Sequence, residues 1–343
     1  MRGVKVAHHF YLLLPMHHLN AIHRLLADLL TLFLSILFIT PASALYAQEW
    51  KPSTTVYDIS APPRGKPAAL PNNTIIGEEQ EHNVIAGETL LDIAREYHLG
   101  YEELMEANPG VDPWVPAAGL KIKIPSVWIL PNGPRHGLVL NIPEMRLYYY
   151  LSEIKVMTFP VGIGMEGWEI PAGNYSIGDK KIDPVWHVPP SIQQEMEAPV
   201  TAVSAGPDNP LGRYWMRLSM TSYGIHGTNN PWAVGRRVTH GCLRLYPEDI
   251  AFLFPRVPPK TPVTIVYQYA KIGMRDGKAY FQINRFNGKV QDHDLFPQIV
   301  LQLHALGLRV DVRELRHSIQ EAPNGLLIPV PTGRPLVTAD SRQ

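Results

Sequence analysis

The chain holds one cysteine, Cys242, inside the stretch HGTNNPWAVGRRVTHGCLRLYPEDI that runs from His226 to Ile250. His240 stands two positions before it and His226 sixteen. A thiol attacks as its thiolate, and an unassisted one with a pKa near 8.5 is only about three per cent thiolate at pH 7. An imidazole within reach can take the proton and hold a thiolate–imidazolium pair. That predicts a lowered pKa for Cys242 and a raised one for His226. Gly241 allows a tight turn before the sulfur, and N–H groups there can form an oxyanion hole, with His240 beside it as support. Arg236, Arg237 and Arg244 offer charge to a carboxylate-bearing substrate. Singly, each residue has a plain structural reading: a packed histidine, a core cysteine, solvated arginines. Together they form a pattern far less expected by chance than any one of them alone, and it points to a reactive thiol.

Such chemistry needs strand ends that bring distant residues side by side. SYGIHGT reads as a short strand ending at His226, and CLRLY as a second strand. PEDIAFLF then opens a helix, with Pro247 tolerated in the first turn and Glu248 and Asp249 suited to its positive end. Arg244 lies two residues beyond Cys242, so both side chains face one side of their strand. HGLVLNIPEMRLYYYL, IKVMTFPVGIG, AGNYSIGDKKI and TPVTIVYQY carry strand-like alternation or β-branched runs broken by Gly and Pro, so residues 136–267 are predicted to be mostly β. GIGMEG, Gly162 to Gly167, matches a dinucleotide-binding glycine pattern. No helix can follow it, because Pro171 and Gly173 interrupt WEIPAGNYSIG, and there is no βαβ unit around it. Its glycines are better suited to sharp backbone turns beside a cleft.

The His226-Gly227-Thr228 segment, a loop, and Thr239-His240-Gly241-Cys242-Leu243-Arg244 resemble the active-site signature of the L,D-transpeptidases, the YkuD-like catalytic domain. PVGIGMEGWEIPAGNY and GPDNPLGRYWMRL resemble it too, and the likeness spans residues 136–267. Thr239 stands where the family more often has Ser. The resemblance implies that Cys242 attacks the carbonyl of diaminopimelate in a tetrapeptide stem of peptidoglycan. D-Ala leaves, protonated by His226, and the acyl group passes to an amine, giving a 3–3 cross-link or attachment of an outer-membrane lipoprotein. It implies no cofactor and no metal, Arg244 as a substrate-binding residue, and a histidine oriented by a backbone carbonyl in place of a carboxylate.

Residues 82–125 form a separate pattern. NVIA leads to a turn at Gly87, and Leu90, Leu91, Ile93, Ala94 and Tyr97 share one helical face. A second short helix carries Leu104, Met105 and Ala107, and the alternating LKIKIP closes the unit as a strand. This βααβ order, with VIAGETLLDIAREY, ELMEANP and LKIKIP, resembles the LysM domain, which implies binding to the glycan strands of peptidoglycan. Residues 268–343 add turn signals at Arg275-Asp276-Gly277-Lys278 and Asn287-Gly288 and a helix in DLFPQIVLQLHALG, a small α+β extension of no assigned role. The fold class is therefore multidomain: a LysM module, a mostly-β catalytic domain and this extension.

The N-terminus reads as an export signal. Arg2, Lys5 and Arg24 precede the apolar run Leu25–Ile39, and PASALYA offers cleavage after Ala44 or Ala47. The run has about fifteen apolar positions, against the roughly twenty a spanning helix needs. Residues 1–44 are thus a signal peptide, with a retained membrane anchor as the alternative, and the cell envelope or periplasm is the expected location. Residues 45–81, rich in proline, read as a mostly extended linker. Without residues 1–44 the chain has 28 basic and 30 acidic residues, a balance that gives no footprint for nucleic acid. Three rival readings use the same residues. Water as acceptor would make the enzyme an L,D-carboxypeptidase. A non-catalytic peptidoglycan-binding protein would use only the LysM module. A zinc hydrolase would use His226, His240 and Cys242, but no H-E-x-x-H or acidic ligand lies near them.

Overall fold

A computed structural model describes residues 49–60, 73–220, 223–286, 290 and 292–331. The expected signal peptide, both of its expected cleavage positions and the expected Asn287-Gly288 turn lie outside the described residues.

The LysM-like unit has the expected order. Strands Gln80–Asn83 and Lys121–Ile124 pair antiparallel and flank helices Leu90–Glu96 and Tyr101–Ala107. Thr89 caps the first helix through a reciprocal pair of bonds: its hydroxyl accepts from the Asp92 N–H at 3.1 Å, and the Asp92 carboxylate accepts from the Thr89 N–H at 3.0 Å. Asn108 ends the second helix. Its Nδ2 donates to the carbonyls of Leu104 and Lys123, and its Oδ1 accepts from the Lys123 N–H.

The catalytic portion is built on a nine-stranded sheet. Its order is Tyr57–Asp58, Lys155–Pro160, Arg146–Ser152, Gly137–Asn141, Pro262–Val266, Gly173–Ile182, Tyr214–Leu218, Gly224–His226 and Leu243–Arg244. Neighbours are antiparallel except Pro262–Val266 with Gly137–Asn141 and Gly224–His226 with Leu243–Arg244. The chain leaving Lys155–Pro160, near one edge, returns to bridge Gly162 with Arg244 at the other edge. The sheet is therefore curled around its core, in which Leu140, Phe159, Met216, Ile225, Leu243 and Ile265 are buried.

The C-terminal extension is α+β as expected. Strands Ala270–Arg275, Lys278–Ile283 and Leu327–Pro329 form an antiparallel sheet packed on helices Asp292–Ala305 and Val312–Glu321. Arg275 pairs with Lys278 across Asp276 and Gly277, whose φ values are +51° and +73°. Both central residues of the turn are left-handed, which is why the Asp-Gly pair sits there.

The described residues of the stretch before residue 82, 49–60 and 73–81, are extended, and they also pair. Tyr57–Asp58 forms the edge strand of the catalytic sheet, and Ile75–Gly77 pairs with Val127–Ile129. The LysM-like helices do not stand apart either. Leu90, Ile93, Leu104 and Ile122 share one buried cluster with Val139, Tyr148, Tyr150 and Val156 of the sheet. Arg146, buried in the sheet, donates to Glu103 at 2.5 Å and stacks over the Trp128 ring at 4.0 Å. Lys271 of the extension is equally buried and pairs with Glu144 at 2.7 Å. Burying one cation without such a partner would be strongly unfavourable, so these pairs fix how the three parts meet. Among the described residues no helix is long and apolar enough to cross a membrane.

Candidate active site

His226 closes the strand Gly224–His226, and Cys242 immediately precedes the strand Leu243–Arg244. The parallel register sets Ile225 opposite Leu243 and His226 opposite Arg244. Gly224 is therefore level with Cys242, and its N–H faces the sulfur. Because side chains alternate along a strand, His226, Cys242 and Arg244 share one face. This is the juxtaposition expected from the sequence.

The turn into Cys242 depends on glycine. Gly241 has φ +99°, and a Cβ there would lie 2.7 Å from Cε1 of Tyr223 and 3.3 Å from the Trp168 carbonyl oxygen. Gly164 packs against it, since a Cβ on Gly164 would fall 2.0 Å from the Trp168 oxygen and 3.1 Å from the Gly241 Cα. The glycine pattern at 162–167 thus serves close backbone approach beside the cysteine: Gly162 bridges Arg244, and Ile163–Gly164 pairs with Arg237–Thr239. Thr239 is buried and ties the turn together. Its hydroxyl donates to the Cys242 carbonyl at 2.7 Å and accepts from the Gly241 N–H at 3.2 Å. The Gly241 N–H is therefore engaged by Thr239, and Gly241 supports the turn through its positive φ and close packing. His240 is also committed. Its Nε2 meets the Glu195 carboxylate at 2.9 Å, and its ring stands edge-on to Trp168 at 4.9 Å.

His226 is fully buried. Its Nδ1 lies 2.6 Å from the Gly227 carbonyl, and the Leu211 carbonyl acts on the ring in the same sense. An oxygen without a hydrogen must accept, so Nδ1 carries the proton and Nε2 is left as the base. Trp215 stacks on the imidazole. Burial pushes the His226 pKa down to about 3, with the Arg244 charge acting the same way against the two carbonyls. Burial likewise raises the Cys242 thiol, opposed by the Gly224 N–H and the Arg244 charge. Both shifts run opposite to the expected ion pair and favour a neutral thiol and a neutral imidazole. Desolvation, which a sequence does not display, outweighs the local positive charge.

Of the three nearby arginines, only Arg244 belongs to this face. Its Nε is buried without a hydrogen-bond partner. Arg236 stacks on Tyr101 of the LysM-like unit at 3.7 Å, and Arg237 on Phe286 at 4.8 Å. Among the described residues no group of three or more His, Cys, Asp or Glu side chains is placed to hold a metal ion. Trp215, Gly224, Trp168, Tyr223 and Glu195 were not singled out from the sequence. Trp215 and Trp168 lie in quoted stretches, GPDNPLGRYWMRL and PVGIGMEGWEIPAGNY, but nothing in those residue types marks which ones meet the histidines.

The chain matches two family models and several known proteins. The model of the L,D-transpeptidase catalytic domain, YkuD, matches residues 135–265, and that of the LysM domain matches residues 82–125. Probable L,D-transpeptidase YcfS of Escherichia coli strain K12 is 40% identical over 209 residues, 58% of this chain and 65% of that protein. Probable L,D-transpeptidase YbiS of the same strain is 38% identical over 227 residues, 64% of this chain and 74% of that protein. Probable L,D-transpeptidase ErfK/SrfK of Salmonella typhimurium is 34% identical over 260 residues, covering 72% and 84%. With its catalytic and LysM domains both matched, and three quarters of YbiS covered at that identity, the chain belongs to the L,D-transpeptidase family.

Proposed function

We propose that the protein is a peptidoglycan L,D-transpeptidase in which Cys242 is the nucleophile, His226 the general base and acid, and Arg244 the anchor for a substrate carboxylate. The observation that carries this reading is the shared face of His226, Cys242 and Arg244 on adjacent parallel strands, with the imidazole held through Nδ1 by the Gly227 carbonyl.

The neutral resting pair defines the first step. As Cys242 Sγ attacks the diaminopimelate carbonyl of a tetrapeptide stem, its proton moves to His226 Nε2, so thiolate forms only as it is consumed. A carboxylate arriving at Arg244 offsets the charge that depresses His226, which makes the imidazole a stronger base when substrate is present. The tetrahedral intermediate collapses with the proton passing from Nε2 to the departing D-Ala amine, leaving a thioester on Cys242. The amine of a second stem then attacks that thioester, giving its proton to His226 Nε2; the C–S bond breaks, Cys242 leaves and takes that proton back as the free thiol, and a 3–3 cross-link is formed. A lysine of an outer-membrane lipoprotein is an acceptor of the same chemical class.

The LysM domain supplies glycan affinity in this reading. Ile85, Trp114 and Val115 are exposed on it at 65%, 57% and 78%, and apolar and aromatic faces of this kind suit the apolar faces of sugar rings. The site of action is the periplasm or cell envelope.

Mass spectrometry of muropeptides after incubation of purified protein with peptidoglycan tests the proposal. Loss of tetrapeptides with gain of 3–3 dimers is expected, and is absent for Cys242→Ala. Tripeptides without dimers would make the enzyme an L,D-carboxypeptidase, and unchanged muropeptides would reject the reading.

A further inference from the structure

A cavity of about 260 Å³ lies where the LysM domain, the catalytic domain and the C-terminal extension meet. Its lining is strongly polar, and most of its charged groups are already satisfied. Glu103 is held by Arg146, the Trp128 indole N–H and the Gly100 N–H. Glu144 is held by Lys271 and Asn141. Arg285 spends its guanidinium on Asp292 and on the carbonyls of Ala322 and Ile319.

Four lining groups remain uncommitted among the described residues. The Arg237 side chain makes no hydrogen bond or ion pair; the Phe286 ring lies against it, its charge reaches the Glu102 carboxylate, and its Nη1 is buried. Asn284 is 94% buried by its 6% exposure, and its Nδ2 has no partner. Glu102 and Glu106, one helical turn apart on one face, make no hydrogen bond or ion pair. Burial raises the Glu102 pKa against the charges of Arg237 and Arg236, as expected of a carboxylate lacking a direct partner. A buried donor left unmade costs about 1–3 kcal/mol, and more for a charged group. Two such donors line the same cavity as two carboxylates without a hydrogen-bond partner, a complementary pattern.

We infer that this cavity binds a small zwitterion, its carboxylate taken by Arg237 and Asn284 and its ammonium by Glu102 and Glu106. The volume falls below the roughly 300–1,000 Å³ of drug-sized sites, which suits an amino-acid head group. Two sources present that chemistry: a free amino acid, and the D-centre of diaminopimelate at the side-chain end of a stem peptide. The second source rests on the function proposed above; the first does not. Arg237 begins the strand that leads to Thr239 and the Cys242 turn, so occupancy bears on the segment that carries the nucleophile.

Binding to the full-length protein is measured by ligand-observed NMR with D-alanine, propionate and a tripeptide stem ending in diaminopimelate, on wild type and on Cys242→Ala. D-Alanine or the tripeptide should bind saturably and equally to both proteins, with propionate weaker because it lacks the ammonium. Which of the two binds tighter identifies the source. Glu102→Gln should erase the preference for D-alanine over propionate. Arg237→Met should weaken binding roughly tenfold or more while leaving the melting temperature unchanged or higher, because the apo protein gives that guanidinium no polar partner. Absence of saturable binding by both ligands overturns the inference. So does Arg237→Met lowering the melting temperature by several degrees with binding unchanged, which would make it a structural arginine. D-Alanine binding without muropeptide conversion would keep the site and reject only the proposed function.

Discussion

The indole of Trp215 stacks on the imidazole of His226 with ring centroids 5.5 Å apart and planes inclined at 28°. The two residues are direct partners on antiparallel strands. The same indole covers Gly224, where a Cβ would lie 2.4 Å from its ring. The imidazole is thus held in plane by Trp215 and in tautomer by the Gly227 carbonyl. The stack also excludes water from the ring, consistent with a pKa pushed down to about 3 chiefly by burial.

Gly224→Ala should push Trp215 off His226, because the ring cannot clear a methyl group at that distance. Small displacements of a base cost catalysis far more than stability. Turnover of a soluble tetrapeptide is expected to fall roughly 10- to 100-fold, with a loss of stability of about 1–3 kcal/mol. Steady-state kinetics beside a thermal melt checks this; undiminished turnover would show that the stack does not position the base.

Reactivity of Cys242 toward a neutral haloacetamide should climb with pH through an apparent pKa above the ordinary thiol value. Burial raises the thiol, and an imidazole depressed to about 3 cannot hold a proton at neutral pH to form an ion pair. Fast alkylation maintained from pH 5 to 8 would instead indicate a preformed thiolate.

Arg244→Lys should impair acylation although the charge is kept. The Nε of Arg244 is buried without a partner, and an ammonium cannot reproduce the two parallel bonds of a guanidinium to a carboxylate. The loss is expected to be about 2–4 kcal/mol in the transition state, roughly 30- to 1000-fold in kcat/KM. Comparable acylation kinetics in the two proteins would leave Arg244 a purely structural role.

The shared face of His226, Cys242 and Arg244 was legible because strand alternation and their spacing are local patterns. The βααβ unit was legible for the same reason: the Leu90–Ala94 periodicity and the capping sequence at Thr89 lie within a few residues of one another. Two things were not legible. The pKa directions depend on burial by Trp215 and the strands around it, which come from distant parts of the chain. The destinations of Arg236 and Arg237 depend on Tyr101 and Phe286, in other domains. A pair of arginines beside a nucleophile looks like a substrate clamp until the partners across the interface are known.

Asp249 should set a pH dependence of stability. It is buried with Oδ1 on the Ser53 N–H at 2.8 Å and Oδ2 without a partner, and burial pushes its pKa up to about 7. Unfolded, an aspartate releases its proton near pH 4. Between about pH 4 and 7 the folded state binds more protons, so this group's contribution is present in acid and lost as pH rises through 7. His226 has the opposite sign, losing stability only as pH falls from about 6.5 toward 3. At pH 8 the His226 effect is therefore absent. Asp249→Asn is expected to stabilise by on the order of 1–3 kcal/mol at pH 8 and to change little at pH 5. Thermal melts at the two pH values decide it, and a difference independent of pH would contradict the assignment.

Arg95 and Glu248 should prove strongly coupled across the boundary between the LysM and catalytic domains. Arg95, on the first LysM helix, donates twice to the Glu248 carboxylate at 2.8 and 2.7 Å. The two side chains are 11% and 9% exposed, so screening by solvent is slight. Glu248 lies on the helix Pro247–Leu253, which directly follows the cysteine strand, and Tyr246 beside it donates to the Leu99 carbonyl at 3.0 Å. Deleting either partner strands a buried charge, at a cost of about 3–5 kcal/mol. Replacing both by methionine removes the stranded charge, and buried pairs exchanged for apolar side chains are often close to neutral. Arg95→Met and Glu248→Met should each destabilise the full-length protein. The double variant should recover most of that loss, with a coupling of roughly 2 kcal/mol or more in the mutant cycle. Additive losses would mean that the pair does not fix the two domains together, and that the LysM domain is a tether with no hold on the helix behind Cys242.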